Sequence, residues 1–295
     1  MSRVAVIEGN EIKYHVMDPT GNITILVETP VEEASQPFVA SKLMEAEPEA
    51  EQVGFLTSPV NETWDIALRM AGGEFCGNAT MSAAAFYAAG TGIEKGTVTV
   101  CVSGTAQPVP VELCVLPDGG YCGTVIMPRP AGIKEVRLPA AAGQIITCPV
   151  VHFEGIDHVI LEERPDRDCA EALAPVWCRE LNAEAVGLMF LNRSQETAET
   201  EQTKQTEQVP QTDGVLTPLV YVPEADTLVW ENSCASGTSA VGVWAASVQK
   251  RGNMKAGSQE KAIKMTLQEP GGILSVEVSP SGEIRLTGTV RKQNC

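Results

Sequence analysis

The chain has 295 residues, with 21 Lys and Arg against 38 Asp and Glu, a formal net charge of −17. That length with 43% hydrophobic residues can bury the cores of two ordinary domains, and an acidic chain with no basic cluster is a poor partner for nucleic acid. No apolar run reaches the roughly 18 to 20 residues that cross a bilayer, and the polar start MSRVAVIEGNEIKYH does not read as a signal peptide, so a cytoplasmic protein with no membrane partner is expected.

The first elements are strand-like runs at Arg3–Ile7, 12–17 and 22–28, rich in β-branched residues and punctuated by Gly and Pro, followed by a helix over 38–47. After Cys76 comes NATMSAAAFYAAG, small and apolar on nearly every side, which predicts a helix buried all round and ended by Gly90. Three short alternating strands follow, in GTVTVCVSG, VPVELCVL and YCGTVIMP. The second half repeats the order. Strands in QIITCPVVHFEG, HVILEE, AVGLMFLN, PLVYVP and DTLVWEN lead to Cys234, then to the small-residue helix GTSAVGVWAASVQK, then to strands in KMTLQE and ILSVEVS. Residues 194–213, rich in Glu, Gln and Thr, cannot join a core and read as a solvated insertion.

The halves match at the level of residues. Cys76 aligns with Cys234, Thr80 with Thr238, and an aromatic stands ten residues after each Cys, Phe86 and Trp244. There are nine cysteines, an odd number, with no CxxC pair, which argues for free thiols and against a disulfide framework or a cysteine-rich zinc site. Cys101, Cys114, Cys122 and Cys148 fall in strands, Cys169 and Cys178 in a helical stretch, and Cys295 is terminal, so these seven read as structural.

Cys76 and Cys234 differ from the rest because each opens a buried helix. A sulfur at a helix N-terminus meets unpaired N–H groups and the positive end of the dipole, which predicts a lowered thiol pKa. The small residues that follow, Gly77 and Asn78 in one half and Ala235 and Ser236 in the other, leave N–H groups open to a carboxylate. If the halves pack face to face, two sulfurs approach one α-carbon from opposite sides, one removing the α-proton and the other delivering one to the opposite face. Fixed donors at both helix starts would stabilise the charge that develops, so no metal and no cofactor is required.

At these residues the sequence resembles the diaminopimelate epimerase family, in the superfamily of cofactor-independent racemases that also holds proline racemase. GGEFCGNAT is similar to that family's first cysteine motif and SCASGTSA to its second, and PTGNITILV resembles its N-terminal Gly-Asn segment, which implies Asn22 as a substrate residue. The resemblance implies Cys76 and Cys234 as the paired acid and base, with Gly77, Asn78, Ala235 and Ser236 as the carboxylate cradle. The polar residues with which diaminopimelate epimerase grips its distal groups fall here on Ile156, Ala185 and Ala67, and no Arg precedes the second Cys, where Val222-Pro223-Glu224-Ala225 stands. A buried distal carboxylate without its Arg is costly. GGEFCGNATMS and WENSCASGTSA, with EQVGFL upstream, more closely resemble the histidine racemases of opine-type metallophore synthesis. That reading implies an acidic acceptor for an imidazole N–H, from Glu51, Asp157 or Glu74, while His158 beside Asp157 offers a Cys–His alternative.

The expected fold is α+β: two pseudo-symmetric domains, 1–130 and 131–281, each a curved mixed sheet around one buried helix, with a last strand in about 282–295 returning to the first. The expected function is a cofactor-independent amino-acid racemase acting on a small-molecule amino acid, histidine first and diaminopimelate second, with a homodimer as a compatible assembly. A thiol redox protein and a non-catalytic amino-acid-binding protein are the alternatives of other classes.

Overall fold

A computed structural model describes residues 2–57, 63–193, 212–253 and 261–293. The 194–213 insertion, apart from its last two residues, and Cys295 lie outside them. The α+β expectation holds: strands dominate, with two helices enclosed by them and two outside.

The first half runs β1 Arg3–Ile7, β2 Asn10–Pro19, β3 Thr24–Val27, α1 Gln36–Ala46, β4 Gln52–Thr57, β5 Ile66–Met70, α2 Gly77–Thr91, β6 Lys95–Val102, β7 Val109–Val115 and β8 Tyr121–Met127. The second runs β9 Gly132–Pro139, β10 Ile145–Phe153, β11 Ile156–Leu161, α3 Arg167–Leu181, β12 Val186–Asn192, β13 Gly214–Val222, β14 Thr227–Trp230, α4 Ala235–Asn253, β15 Ile263–Glu269, β16 Gly272–Val278 and β17 Ile284–Lys292.

The duplication extends to the sense of every pairing. In the first half β1–β2 and β2–β3 are antiparallel, β3–β4 parallel, β4–β5 antiparallel, β5–β6 parallel, and β6–β7 and β7–β8 antiparallel. In the second half β9–β10, β10–β11, β11–β12, β12–β13, β13–β15, β15–β16 and β16–β17 follow the same series, with β14 as an added hairpin strand on β13. The helices serve as parallel crossovers, α1 and α2 in one half, α3 and α4 in the other, as parallel pairing requires. Strand β17 lies along β8 over seven residue pairs and meets β2 at its far end. In the first half this closes a ring, β2 through β8 and back by β17, around α2.

α2 fits inside that ring because it is small. Ala79, Thr80, Ser82, Ala83, Ala84, Ala85 and Ala88 are buried, so strands approach from every side. Its one long inward residue near the start, Met81, lies against Gly123 of β8 and Gly288 of β17. α4 is seated likewise: a methyl on Gly242 would lie 2.7 Å from Val276. α2 ends at Gly92 (φ +75°), not at Gly90, because Gly92 takes the left-handed cap. α1 begins two residues before the expected start, with Pro37 in its first turn. α1 and α3 cover the outer faces of the two halves, each over a core of its own. Strands β4, β5 and β9 were not recognised in the sequence. β4 and β5 are nearly continuous buried runs without alternation, and β9 carries exposed charges.

The halves touch through two tight turns. Gly21 (φ +87°) packs so closely on Gly271 that a methyl would strike the Gly271 backbone, and Gly271 N–H bonds the Asn232 carbonyl at 2.7 Å. Gly9 has a similar φ of +82° but open space around it. Gly21→Ala is therefore expected to lower stability by about 2 to 4 kcal/mol and Gly9→Ala by about 1 kcal/mol, read from urea unfolding; the difference measures the close approach rather than the dihedral.

Candidate active site

The N-termini of α2 and α4 meet. A methyl on Gly77 would sit 3.1 Å from the Ala235 Cβ, and Asn78 Nδ2 donates to the Ser233 carbonyl at 3.3 Å. Each helix is capped by its own cysteine: Ala79 N–H points to Cys76 Sγ at 3.4 Å, and Gly237 N–H to Cys234 Sγ at 3.3 Å. The two bonds are equivalent in the repeat, each from the third residue after the Cys, the usual partner of an N-cap side chain. Gly77, Asn78, Ala235 and Ser236, the cradle expected from sequence, form the two first turns, where N–H groups have no partner within their own helix.

The surroundings of the two sulfurs are not alike. Cys76 Sγ–H donates to Gln52 Oε1 at 2.8 Å. The direction of that bond is fixed from behind. Thr24 Oγ–H is spent on the Asn22 carbonyl, so Thr24 Oγ1 accepts from Gln52 Nε2 at 2.8 Å, which turns Gln52 Oε1 toward the sulfur. Gln52 Nε2 also reaches Asn22 Oδ1, Asn22 Nδ2 reaches Glu51 Oε2, and Glu51 Oε1 accepts from Asn232 Nδ2 at 2.7 Å and Asn232 N at 3.3 Å. One polar chain thus runs from Cys76 through Asn22 and Glu51 to the loop that carries Cys234. Asn22 and Glu51, both singled out in the sequence, belong to it. Gln52, Thr24 and Asn232 were missed, although the EQ doublet was visible ahead of β4.

Cys234 stands among carboxylates. Its thiol lies beside the Glu231 carboxyl, its backbone N–H donates to Glu269 Oε2 at 2.8 Å, and its Sγ lies 3.6 Å from Ser236 Oγ. Glu269, at the end of β15, is 1% exposed and takes the Thr238 hydroxyl on its other oxygen. Neither Glu231 nor Glu269 was recognised in the sequence; the signal available was a Glu three residues before the second Cys and another beside a Pro-Gly-Gly turn.

The thiols are not lowered as the helix-dipole argument predicts. Burial pushes Cys76 up to about 12, with the Ala79 N–H offsetting only part and Glu74 adding to the rise; Cys234 is raised well above its ordinary value by burial and by Glu231. The same burial lifts Glu231 to about 7 and Glu269 to about 8, and raises Glu51. Desolvation outweighs the dipole in this closed space.

The remaining candidates are placed differently. Asp157 is held by His152 Nδ1 at 2.6 Å and shares the face of β11 that packs on α3, with Val159 and Leu161, so it is not part of the cysteine site. Glu74 is exposed in the loop before Cys76. His158 is buried without a partner on either ring nitrogen, and burial drives its pKa down to about 3, so it is neutral and forms no Cys–His pair.

Because Glu231 and Glu269 are raised from an ordinary 4.5, their folded forms hold protons that the unfolded chain releases. Their contribution to stability is complete below about pH 4.5 and is lost as pH rises through about 7 and 8. Melting temperature measured across that window is expected to fall with rising pH, and Glu269→Gln to flatten the upper part of the fall.

The family model described as the histidine racemase CntK N-terminal domain matches residues 11–201 and 209–291. A histidine racemase of Staphylococcus aureus is 28% identical over 239 residues, covering 79% of each chain. One from Fusobacterium nucleatum subsp. nucleatum is also 28% identical, over 77% of this chain and 79% of its own. Among solved structures, a hydroxyproline epimerase from Agrobacterium vitis with bound trans-4-OH-L-proline has a TM-score of 0.65 at 12% identity, covering 96% of this chain and 91% of that one. A phenazine biosynthesis protein of the PhzF family from Bacillus anthracis has a TM-score of 0.62 at 14% identity, covering 96% and 97%; these two share the fold. The chain belongs to the family of the histidine racemase CntK N-terminal domain.

Proposed function

We propose that this protein is a cofactor-independent amino-acid racemase acting on histidine, with Cys76 and Cys234 as the two groups that exchange protons with the α-carbon. The single observation that carries this reading is the equivalent pair of sulfurs capping two helices that start side by side. A substrate carboxylate accepts from the first-turn N–H groups of Gly77, Asn78, Ala235 and Ser236. Asn78 Oδ1, buried and without a partner, is the acceptor assigned to the α-ammonium. In this reading the α-carbon lies between the sulfurs.

In one direction Cys234 loses its proton to Glu231, the carboxylate it already faces, and the thiolate removes the α-proton. The planar intermediate carries its charge on the carboxylate, at the two helix starts, where fixed donors stabilise it. Cys76, held as a thiol by Gln52, delivers its proton to the opposite face. In reverse the roles exchange. The raised thiols make this a reaction of the bound complex: the substrate's cationic groups, entering beside Glu51 and Glu231, favour the thiolate that burial alone disfavours. Glu51, whose neighbours are Asn22 and Asn232, is the acceptor assigned to the imidazole N–H, and the acidic surroundings favour histidine over a substrate with a second carboxylate.

Histidine in D₂O, followed by proton NMR, is expected to lose its α-proton signal with this enzyme, whereas diaminopimelate keeps its own. Exchange with neither removes the proposed activity. Cys76→Ser and Cys234→Ser are each expected to lower racemisation by at least about 10²-fold, the usual contribution of one acid–base group. Gln52→Leu, which leaves the Cys76 thiol without its acceptor, is expected to lower kcat by about 10-fold with little change in KM, measured by polarimetry.

A further inference from the structure

The two helix starts differ in one buried group. At α4 the Cys234 N–H is taken by the Glu269 carboxyl at 2.8 Å, and the Thr238 hydroxyl by the other oxygen of the same group. At α2 the equivalent hydroxyl, Thr80 Oγ1, bonds the Cys76 carbonyl at 2.6 Å, within its own turn. Glu269 comes from β15, outside the duplicated motif, and is 1% exposed. An ionised carboxyl there places a full negative charge against the end of α4 that would otherwise stabilise a thiolate; a protonated one leaves that end free. Both hydrogen bonds survive protonation, since Oε2 still accepts from the Cys234 N–H and a proton on Oε1 can be given to Thr238 Oγ1.

We propose that Glu269 is a positioning residue for Cys234, a buried carboxyl whose proton decides whether the N-terminus of α4 is available to the thiolate. The groups that face it are Cys234 at the start of α4, Glu231 in the loop after β14, and Glu51 in the loop before β4. Burial is the main cause of the rise of Glu269 to about 8; Glu231 and Glu51 repel the ionised form and add to it, while the Thr238 hydroxyl and the Cys234 N–H favour that form and offset part of it. Near neutral pH Glu269 is neutral and α4 serves the sulfur. Above about pH 8 its charge appears and the Cys234 thiolate becomes harder to form, while Cys76, on the other helix, is unaffected.

The inference rests on Cys234 as a reacting thiol, and its test reads the thiol itself, so it can fail while racemisation stands. The probe is iodoacetamide, with peptide-resolved mass spectrometry of Cys234 and Cys76 across pH in the whole protein. The midpoint of each profile is read rather than its plateau, which removes the effect of access. Glu269→Gln keeps both oxygen- or nitrogen-based contacts without charge. It is expected to raise Cys234 alkylation by about 10-fold at alkaline pH, by lowering its midpoint, and to leave the Cys76 midpoint in place. Glu269→Asp, which retains the charge, is expected to leave both midpoints near those of the wild type. An unchanged Cys234 midpoint in Glu269→Gln, or equal shifts at both cysteines, overturns the proposal. If Glu269→Gln fails to fold, carboxyl carbon-13 NMR of the wild type decides: a glutamate that titrates near pH 8 supports the assignment, and ionisation of every glutamate below neutrality overturns it.

Discussion

Everything in this molecule is arranged around two helix N-termini that meet at one buried point. Each carries about half a positive charge and several N–H groups without partners, so bringing two together away from water is unfavourable unless something negative lies between them. The chain supplies part of that compensation. Sulfurs cap both first turns, Glu269 takes the Cys234 N–H, and Glu51 and Glu231 stand beside them. What is left over is the set of first-turn N–H groups without partners in their own helices, the groups to which the proposed reading assigns the substrate carboxylate. The small residues of α2 and α4 follow from the same constraint, because only a slim helix can be enclosed by strands and still bring its start to the interface.

Compensation with carboxylates has a consequence for the thiols. A helix start exposed to water lowers a thiol pKa, but here burial and neighbouring acids raise both. The site is therefore not one of resting thiolates. In the proposed reaction, charge becomes favourable there when a ligand with cationic groups enters.

The duplication was legible in the sequence because its strongest signals are local: a Cys, a Thr four places on, and a run of small residues with no polar face. The strands with clear alternation, such as β8 in YCGTVIM, were legible for the same reason. β4 and β5 were not, since strands buried on both faces lose their period of two. The site divides along the same line. Cys76, Cys234 and the first-turn residues announce themselves by position in a motif, whereas Glu269 lies 35 residues after Cys234 and reaches it only through the packing of β15 under α4. Asp157 shows the converse. Its neighbour His158 faces α4, so one residue of strand alternation sends Asp157 to the α3 side, and charge type alone could not reveal that.

A two-base racemase needs two groups that reach opposite faces of one α-carbon and hold opposite protonation states. The repeat supplies matched caps on matched helices, which in the proposed reading face the α-carbon from its two sides. In the proposed reaction each turnover moves one proton in and another out, leaving the thiols in exchanged states. The residues that differ between the halves are those that touch protons. Gln52 offers Cys76 only an acceptor, with its amide locked by Thr24 and Asn22, which favours the thiol. Glu231 offers Cys234 a carboxylate that titrates near 7 and can take its proton. The fold fixes the symmetry of the site, and three side chains from outside the repeated motif, Gln52, Glu231 and Glu269, give its two sulfurs different surroundings.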